Sequence, residues 1–177
     1  MLVTLIGYRG VGKSAVGQQL AARLGIDFAD ADVEIEHEAG LSIPAIFASE
    51  GEPGFRRREA DAIARLLQRD RLVLASGGGA ILADRTRERM QQAGPVVWLK
   101  ASVATIWDRI GHDLETASTR PALTSAPPRE EVERLLTERT PLYREIASIA
   151  IDTDDRTVTA IVDEIQSRLP PQGDDHP

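Results

Sequence analysis

The chain has 177 residues, 42% hydrophobic and 28% charged, a composition suited to one globular domain with an ordinary core and unlike that of a disordered chain. Twenty-eight acidic against 21 basic residues leave a net charge of −7, which excludes a general nucleic-acid or anionic-membrane binder but not a locally positive cleft. Cysteine is absent, so there is no disulfide framework and no thiolate metal site, in keeping with a reducing, cytoplasmic setting.

Leu2–Ile6 is an apolar run with no basic stretch before it and Gly7 behind it, which predicts a strand and argues against a secretory signal. No apolar run approaches the roughly 20 residues that span a bilayer. Val16, Leu20 and Leu24 then recur at helical spacing, with Gly25 as the stop. A weaker strand is expected around Phe28, followed by a helix over Val33–Glu38. Phe55 opens a further helix whose apolar face includes Ala60, Ile63 and Leu67. Strands follow at Leu72–Ala75, Val96–Leu99 and Ile149–Ile151, with a helical stripe of Val132, Leu135 and Leu136 before the last. Continuous apolar strands separated by helices predict a parallel sheet covered on both faces, a three-layer α/β sandwich. With no internal repeat or linker, residues 1–169 read as a single domain. Gly111–Pro128, polar and rich in Thr, Ser and Pro, is expected to be a mobile surface segment, and residues 170–177 a disordered tail.

The first strand runs into Gly7-Tyr8-Arg9-Gly10-Val11-Gly12-Lys13-Ser14, which satisfies G-x-x-x-x-G-K-[ST] in full and in the required strand-to-helix context. Glycines let successive backbone N–H groups curl toward phosphate oxygens, and the helix that follows adds its positive end. Lys13 is placed to reach the β- and γ-phosphates, and the Ser14 hydroxyl to ligate Mg²⁺. A bare glycine turn would need no Lys-Ser pair. The chain has two lysines, Lys13 and Lys100, against nineteen arginines, so one of the two falls where a compact ammonium is wanted. A GTPase would need N-K-x-D as well, which is missing; Asp108-Arg109-Ile110-Gly111 matches D-x-x-G only at the end of a helical pattern. A small-molecule kinase is favoured.

Other residues point to an acceptor. Asp30-Ala31-Asp32 follows the weak strand, where the carboxyl ends of parallel strands face the ligand crevice. On an extended segment the two carboxylates would point the same way, one toward metal-bound water and one toward a substrate hydroxyl; alternatively, Asp32 simply caps the helix after it. Arg56 lies four residues before Ala60 and so faces inward with the apolar stripe, unlike Arg57 or Arg58. Its anion is either Glu59 or a substrate carboxylate gripped by two parallel hydrogen bonds. Arg139, three residues beyond Leu136, is a second inward cation. Gly77-Gly78-Gly79 closes the strand Leu72–Ala75, either admitting a ligand close to the backbone or merely turning the chain. Arg120, in the polar segment, is either a solvated loop residue or a cation carried on a closing lid.

Taken together, the Gly7–Ser14 loop, Asp30-Ala31-Asp32 with Ile35-Glu36, Gly51-Glu52 with Phe55-Arg56-x-x-Glu59, Gly77-Gly78-Gly79, Arg120-Pro121 and Arg139-x-Pro141-Leu142-Tyr143 closely resemble the shikimate kinase family, from residue 7 to about 151. The resemblance implies an adenylate-kinase-like P-loop kinase with a central five-stranded parallel sheet and a mobile lid at about 111–128. It also implies ATP-dependent phosphorylation of the 3-hydroxyl of shikimate, a step of aromatic amino-acid biosynthesis, without a phospho-enzyme. On that basis Asp32, Arg56, Gly77, Gly78, Gly79 and Arg139 contact shikimate. Gly10, Val11, Gly12, Lys13, Ser14 and Ala15 hold ATP, with Arg109 and Arg156 on its adenine side and Arg120 reaching it from the lid. Lys13, Asp32 and Arg120 carry the catalysis, and Mg²⁺ is served by Ser14 directly and by Asp30 through water. The expected partners are ATP and shikimate alone, with no nucleic acid and no membrane, on a monomer. Three departures stand out: Ala122 replaces a leucine in the family's Arg-Pro-Leu-Leu, the stretch from Arg109 to Arg120 is a few residues longer than the family pattern, and Ala15 stands where the family often has threonine.

Overall fold

The computed structural model describes residues 1–112 and 128–171. The expected lid, Arg120 and Ala122 lie almost wholly or wholly outside the described residues, as does most of the expected tail.

Five strands form one parallel sheet: β1 (Leu2–Ile6), β2 (Asp27–Asp30), β3 (Leu72–Ala75), β4 (Val96–Lys100) and β5 (Ile149–Asp152), in the spatial order β2-β3-β1-β4-β5. The central strand β1 pairs Val3 with Val73 on one side and Leu5 with Val97 on the other. All five residues of β1 and all four of β3 are buried, as expected of strands covered on both faces. Edge strand β2 buries only Ala29 and begins and ends in aspartate, which is why its sequence signal is faint.

Alternate residues of β1 feed two cores. Val3 and Leu5 pack with Val16 and Leu20 of α1 (Lys13–Leu24) and with Ile161 and Ile165 of the C-terminal helix. Leu2 and Ile6 pack on the opposite face with Ile63, Met90 and Tyr143. That opposite face is built by α3 (Ile43–Leu66), α4 (Asp84–Ala93) and the second half of α6 (Pro128–Ile146), while α5 (Val103–His112), α7 (Val158–Arg168) and Val132 and Leu135 of α6 complete the α1 side. A third, smaller core of Ile35, Ile43, Ile46 and Phe55 joins α2 (Ala31–Ala39) to both halves of α3.

Helix α3 is two helical segments joined at Gly51, whose φ of 68° and ψ of −179° break the helical path, with Pro53 just beyond. Across this break Arg58 grips both carboxylate oxygens of Glu50, at 2.7–3.1 Å. Gly54 gives Glu50 room, since a Cβ there would lie 2.3 Å from the Glu50 Cβ. The buried stripe of the second segment is Phe55, Glu59, Ala62, Ile63 and Leu66, one position away from the Ala60–Leu67 stripe that spacing predicts. An acid therefore occupies the most buried polar position of this face, and Arg56 sits at its margin.

None of the described helices is long and apolar enough to cross a membrane.

Because Leu5 is fully buried at the middle of the central strand, Leu5→Ala is expected to destabilise the fold by about 2–5 kcal/mol. Urea unfolding should show the midpoint falling at constant slope.

Candidate active site

The order of strands reverses beside β1, and the crevice at its carboxyl end is where ligands settle in open parallel sheets. From β1 the chain turns through the glycine loop. Gly7, Gly10 and Gly12 have φ of 142°, 80° and 92°, conformations that side chains with a Cβ resist. At Gly7 a Cβ would also stand 2.4 Å from the Leu99 carbonyl oxygen. Helix α1 starts from Gly12 with no side-chain cap, so its first N–H groups face the loop's concavity. The Lys13 ammonium donates to the carbonyls of Gly7 and Tyr8, each at 2.9 Å, and so braces the loop from within. Val11 is buried in the core behind the loop, whereas Ser14 and Ala15 are exposed at the helix start.

Ser14 Oγ donates to Asp30 Oδ2 at 2.5 Å, and Asp30 Oδ1 accepts the Asp32 N–H at 3.0 Å. Asp30, the last residue of β2, is thus the cap of α2, a role open to Asp32 in the sequence reading. The two aspartates do not share an extended segment either. Asp32 is already in the first turn of α2, and it reaches the cleft from there: a Cβ on Gly77 would lie 3.1 Å from Asp32 Oδ1 and 2.3 Å from Glu59 Oε1.

The three glycines after β3 each meet a different part of the site. Gly77 lies under the Asp32 and Glu59 carboxylates. Gly79 is covered by Arg56, whose guanidinium would be 2.4–2.7 Å from a Cβ there. Gly78 meets the phosphate loop itself, with Arg9 N, Gly7 O and Tyr8 Cα within 3.3–3.6 Å of a Cβ position. The triglycine is thus a turn on which carboxylates, a guanidinium and the phosphate loop all close.

Arg56 donates to Glu59 at 2.6 Å and to Glu52 at 3.3 Å. Glu59 is almost fully buried, while half of the Glu52 side chain is exposed. Burial works against the Arg56 charge, but Glu59 first and Glu52 second outweigh it and hold the guanidinium firmly protonated. Arg56 therefore has the internal anion that the spacing offered, Glu59, and it also borders a cleft of about 400 Å³ lined by Glu52, Pro53, Glu59, Gly79 and Leu82.

Arg139, 7% exposed, arrives from α6 on the far side. It donates to the Gly78 carbonyl at 3.2 Å and lies 5.6 Å over the Tyr8 ring. Arg109 donates to Gly10 O at 3.4 Å and to Thr153 O at 2.8 Å, joining the loop to the segment after β5. Arg156 is turned inward to Asp152 O, Glu164 and Ala160 O, where it ties β5 to α7. His37 is exposed on α2, away from the crevice.

Two loop residues escaped the sequence reading because the motif leaves their positions open. Tyr8 is buried, and burial raises the pKa of its hydroxyl despite neighbouring Arg9 and Arg139. Arg9 hydrogen-bonds that hydroxyl, and its Nε is buried without a hydrogen-bond partner among the described residues.

A phosphate loop after the central strand of a five-stranded parallel sheet, with a triglycine turn that meets Arg56, Arg139 and Asp32 beside it, defines a P-loop kinase of small molecules. The sequence profile of the shikimate kinase family matches residues 9–170. A shikimate kinase from Pseudomonas savastanoi pv. phaseolicola is 46% identical over 165 residues, 93% of this chain and 94% of that protein. One from Nitrosococcus oceani is 44% identical over 167 residues, 94% and 86% of the two chains. The structure of the Acinetobacter baumannii shikimate kinase in complex with shikimate superimposes with a TM-score of 0.88 at 40% identity, covering 94% of this chain and 90% of that one. The chain belongs to the shikimate kinase family, as its motif series implies.

Glu59 is nearly inaccessible and holds Arg56 by a charged hydrogen bond. Glu59→Gln is therefore expected to lower stability by about 2 kcal/mol, read from the unfolding midpoint.

Proposed function

We propose that this chain transfers the γ-phosphoryl group of ATP to the 3-hydroxyl of shikimate, giving shikimate 3-phosphate and ADP, as a cytoplasmic monomer. The observation that carries the reading is the close approach of Gly78 to the phosphate loop, which brings an anion-binding backbone beside a glycine turn whose neighbours are Asp32, Arg139 and Arg56.

The triphosphate lies along the N–H groups from Gly10 to Ala15, with Lys13 turning from the Gly7 and Tyr8 carbonyls to the β- and γ-phosphates. Arg109 and Arg156 border the adenine side. On the acceptor side, Arg56 and Arg139 hold the carboxylate. Glu52, exposed and 3.3 Å from Arg56, is the partner most readily displaced, while buried Glu59 stays to fix the guanidinium. Asp32 orients the hydroxyl and accepts its proton as the oxygen attacks in line; the bond to the leaving β–γ bridging oxygen breaks, and ADP carries that charge away. Arg120 adds a positive charge to the transferring group.

Mg²⁺ fits the residues present. Ser14 and Asp30 offer hard oxygen donors within 2.5 Å of each other at the loop's mouth, and no cage of three or more acids or histidines gathers among the described residues. A cation held largely by phosphates and water needs no more, with Ser14 as direct ligand and Asp30 acting through water. When bound, it neutralises charge on the phosphate oxygens.

The deciding assay supplies MgATP with shikimate, gluconate or a nucleoside monophosphate one at a time and measures ADP release. Turnover is expected with shikimate alone, and a folded enzyme inert toward it would end the assignment. Lys13→Ala should lose about a hundredfold or more in kcat while remaining folded by circular dichroism. Arg56→Ala should raise the KM for shikimate by roughly 10–100-fold and leave the KM for ATP near its original value.

A further inference from the structure

We propose that Tyr143 is a positioning residue for the acceptor: by holding the Gly78 carbonyl, it allows Arg139 to leave that carbonyl for the acceptor's carboxylate. The inference rests on the proposed function and assigns a role to a residue outside the substrate-contacting set.

The buried carbonyl of Gly78 accepts two hydrogen bonds, one at 2.6 Å from the Tyr143 hydroxyl and one at 3.2 Å from Arg139 Nη1. Both donors stand on α6, one turn apart and on the same face. Tyr143 cannot easily swing away. It is fully buried, and its ring stacks on Trp98 of β4 with centroids 5.8 Å apart. Burial also pushes its hydroxyl pKa well above the usual tyrosine value, so it remains a donor throughout the working pH range.

Arg139 has the opposite character. Its bond to the carbonyl is the longer one, and its guanidinium lies over the ring of Tyr8 in the phosphate loop. A carboxylate gripped by both arms of this fork draws Nη1 away from Gly78. Without Tyr143 that move would strand a buried carbonyl, a loss that opposes acceptor binding. With Tyr143 in place the carbonyl stays satisfied. The same bond fixes the Gly78–Gly79 peptide, whose planarity turns the Gly79 N–H away from α6.

The test begins with the wild-type enzyme turning over shikimate, then compares Tyr143→Phe, which removes one oxygen and keeps the ring stack. The KM for shikimate and its calorimetric Kd without nucleotide should both rise about tenfold, with the KM for ATP unchanged within about twofold. In an Arg139→Ala background the same substitution should add little, because no guanidinium is then withdrawn from the carbonyl. An unchanged shikimate KM, a parallel rise in both KM values, or full additivity with Arg139→Ala would overturn the inference while leaving the activity standing. Wild-type enzyme without shikimate turnover would overturn the functional assignment, and this inference with it.

Discussion

The close approach of Gly78 to the phosphate loop is the constraint on which the site depends. A kinase must bring two anions within reacting distance while keeping its own backbone out of the way. Here a buried residue without a side chain, just after β3, lies against Tyr8 and Arg9, where a Cβ would stand 3.3 Å from the Arg9 nitrogen. The parallel pairing of β1 with β3 delivers both loops to the same edge of the sheet. The cations then come from elsewhere: Arg56 from the second segment of α3, Arg139 from α6 and Lys13 from α1.

Electrostatics within the cleft is settled locally rather than by net charge. The protein carries −7 overall, yet its acidic residues at the site are committed. Glu59 is buried against Arg56, and Asp30 is bonded to Ser14 and the α2 backbone. Pre-pairing of this kind keeps a guanidinium in one place before any ligand arrives, which reduces the ordering that binding would otherwise require. In the proposed complex, an incoming carboxylate competes with Glu52 at the rim, where an ion pair contributes little.

Much of this was readable in the sequence, for physical reasons. Apolar runs located four strands nearly to the residue, and the fifth was faint because a strand that starts and ends in Asp27 and Asp30 and buries only Ala29 carries little apolar signal. The loop motif located Lys13 and Ser14 because its chemistry tolerates few alternatives. Helical spacing brought Arg56 and Arg139 inward. It could not place Glu59, whose burial follows from the exact phase of α3 after the break at Gly51, nor the turn that puts Asp32 on a helix instead of a strand. The stack of Arg139 on Tyr8 and the shared carbonyl of Gly78 are contacts between segments far apart in the chain, and no local pattern encodes them.

Asp30 illustrates how such economy complicates the dissection of function. One of its oxygens faces Ser14 and the other ends a helix, so truncating it to alanine would remove the carboxylate of the proposed metal site and the helix cap in a single stroke. Asparagine keeps an oxygen for the helix end while discarding the negative charge. The two replacements therefore separate what the carboxylate does as an anion from what it does as a structural clasp.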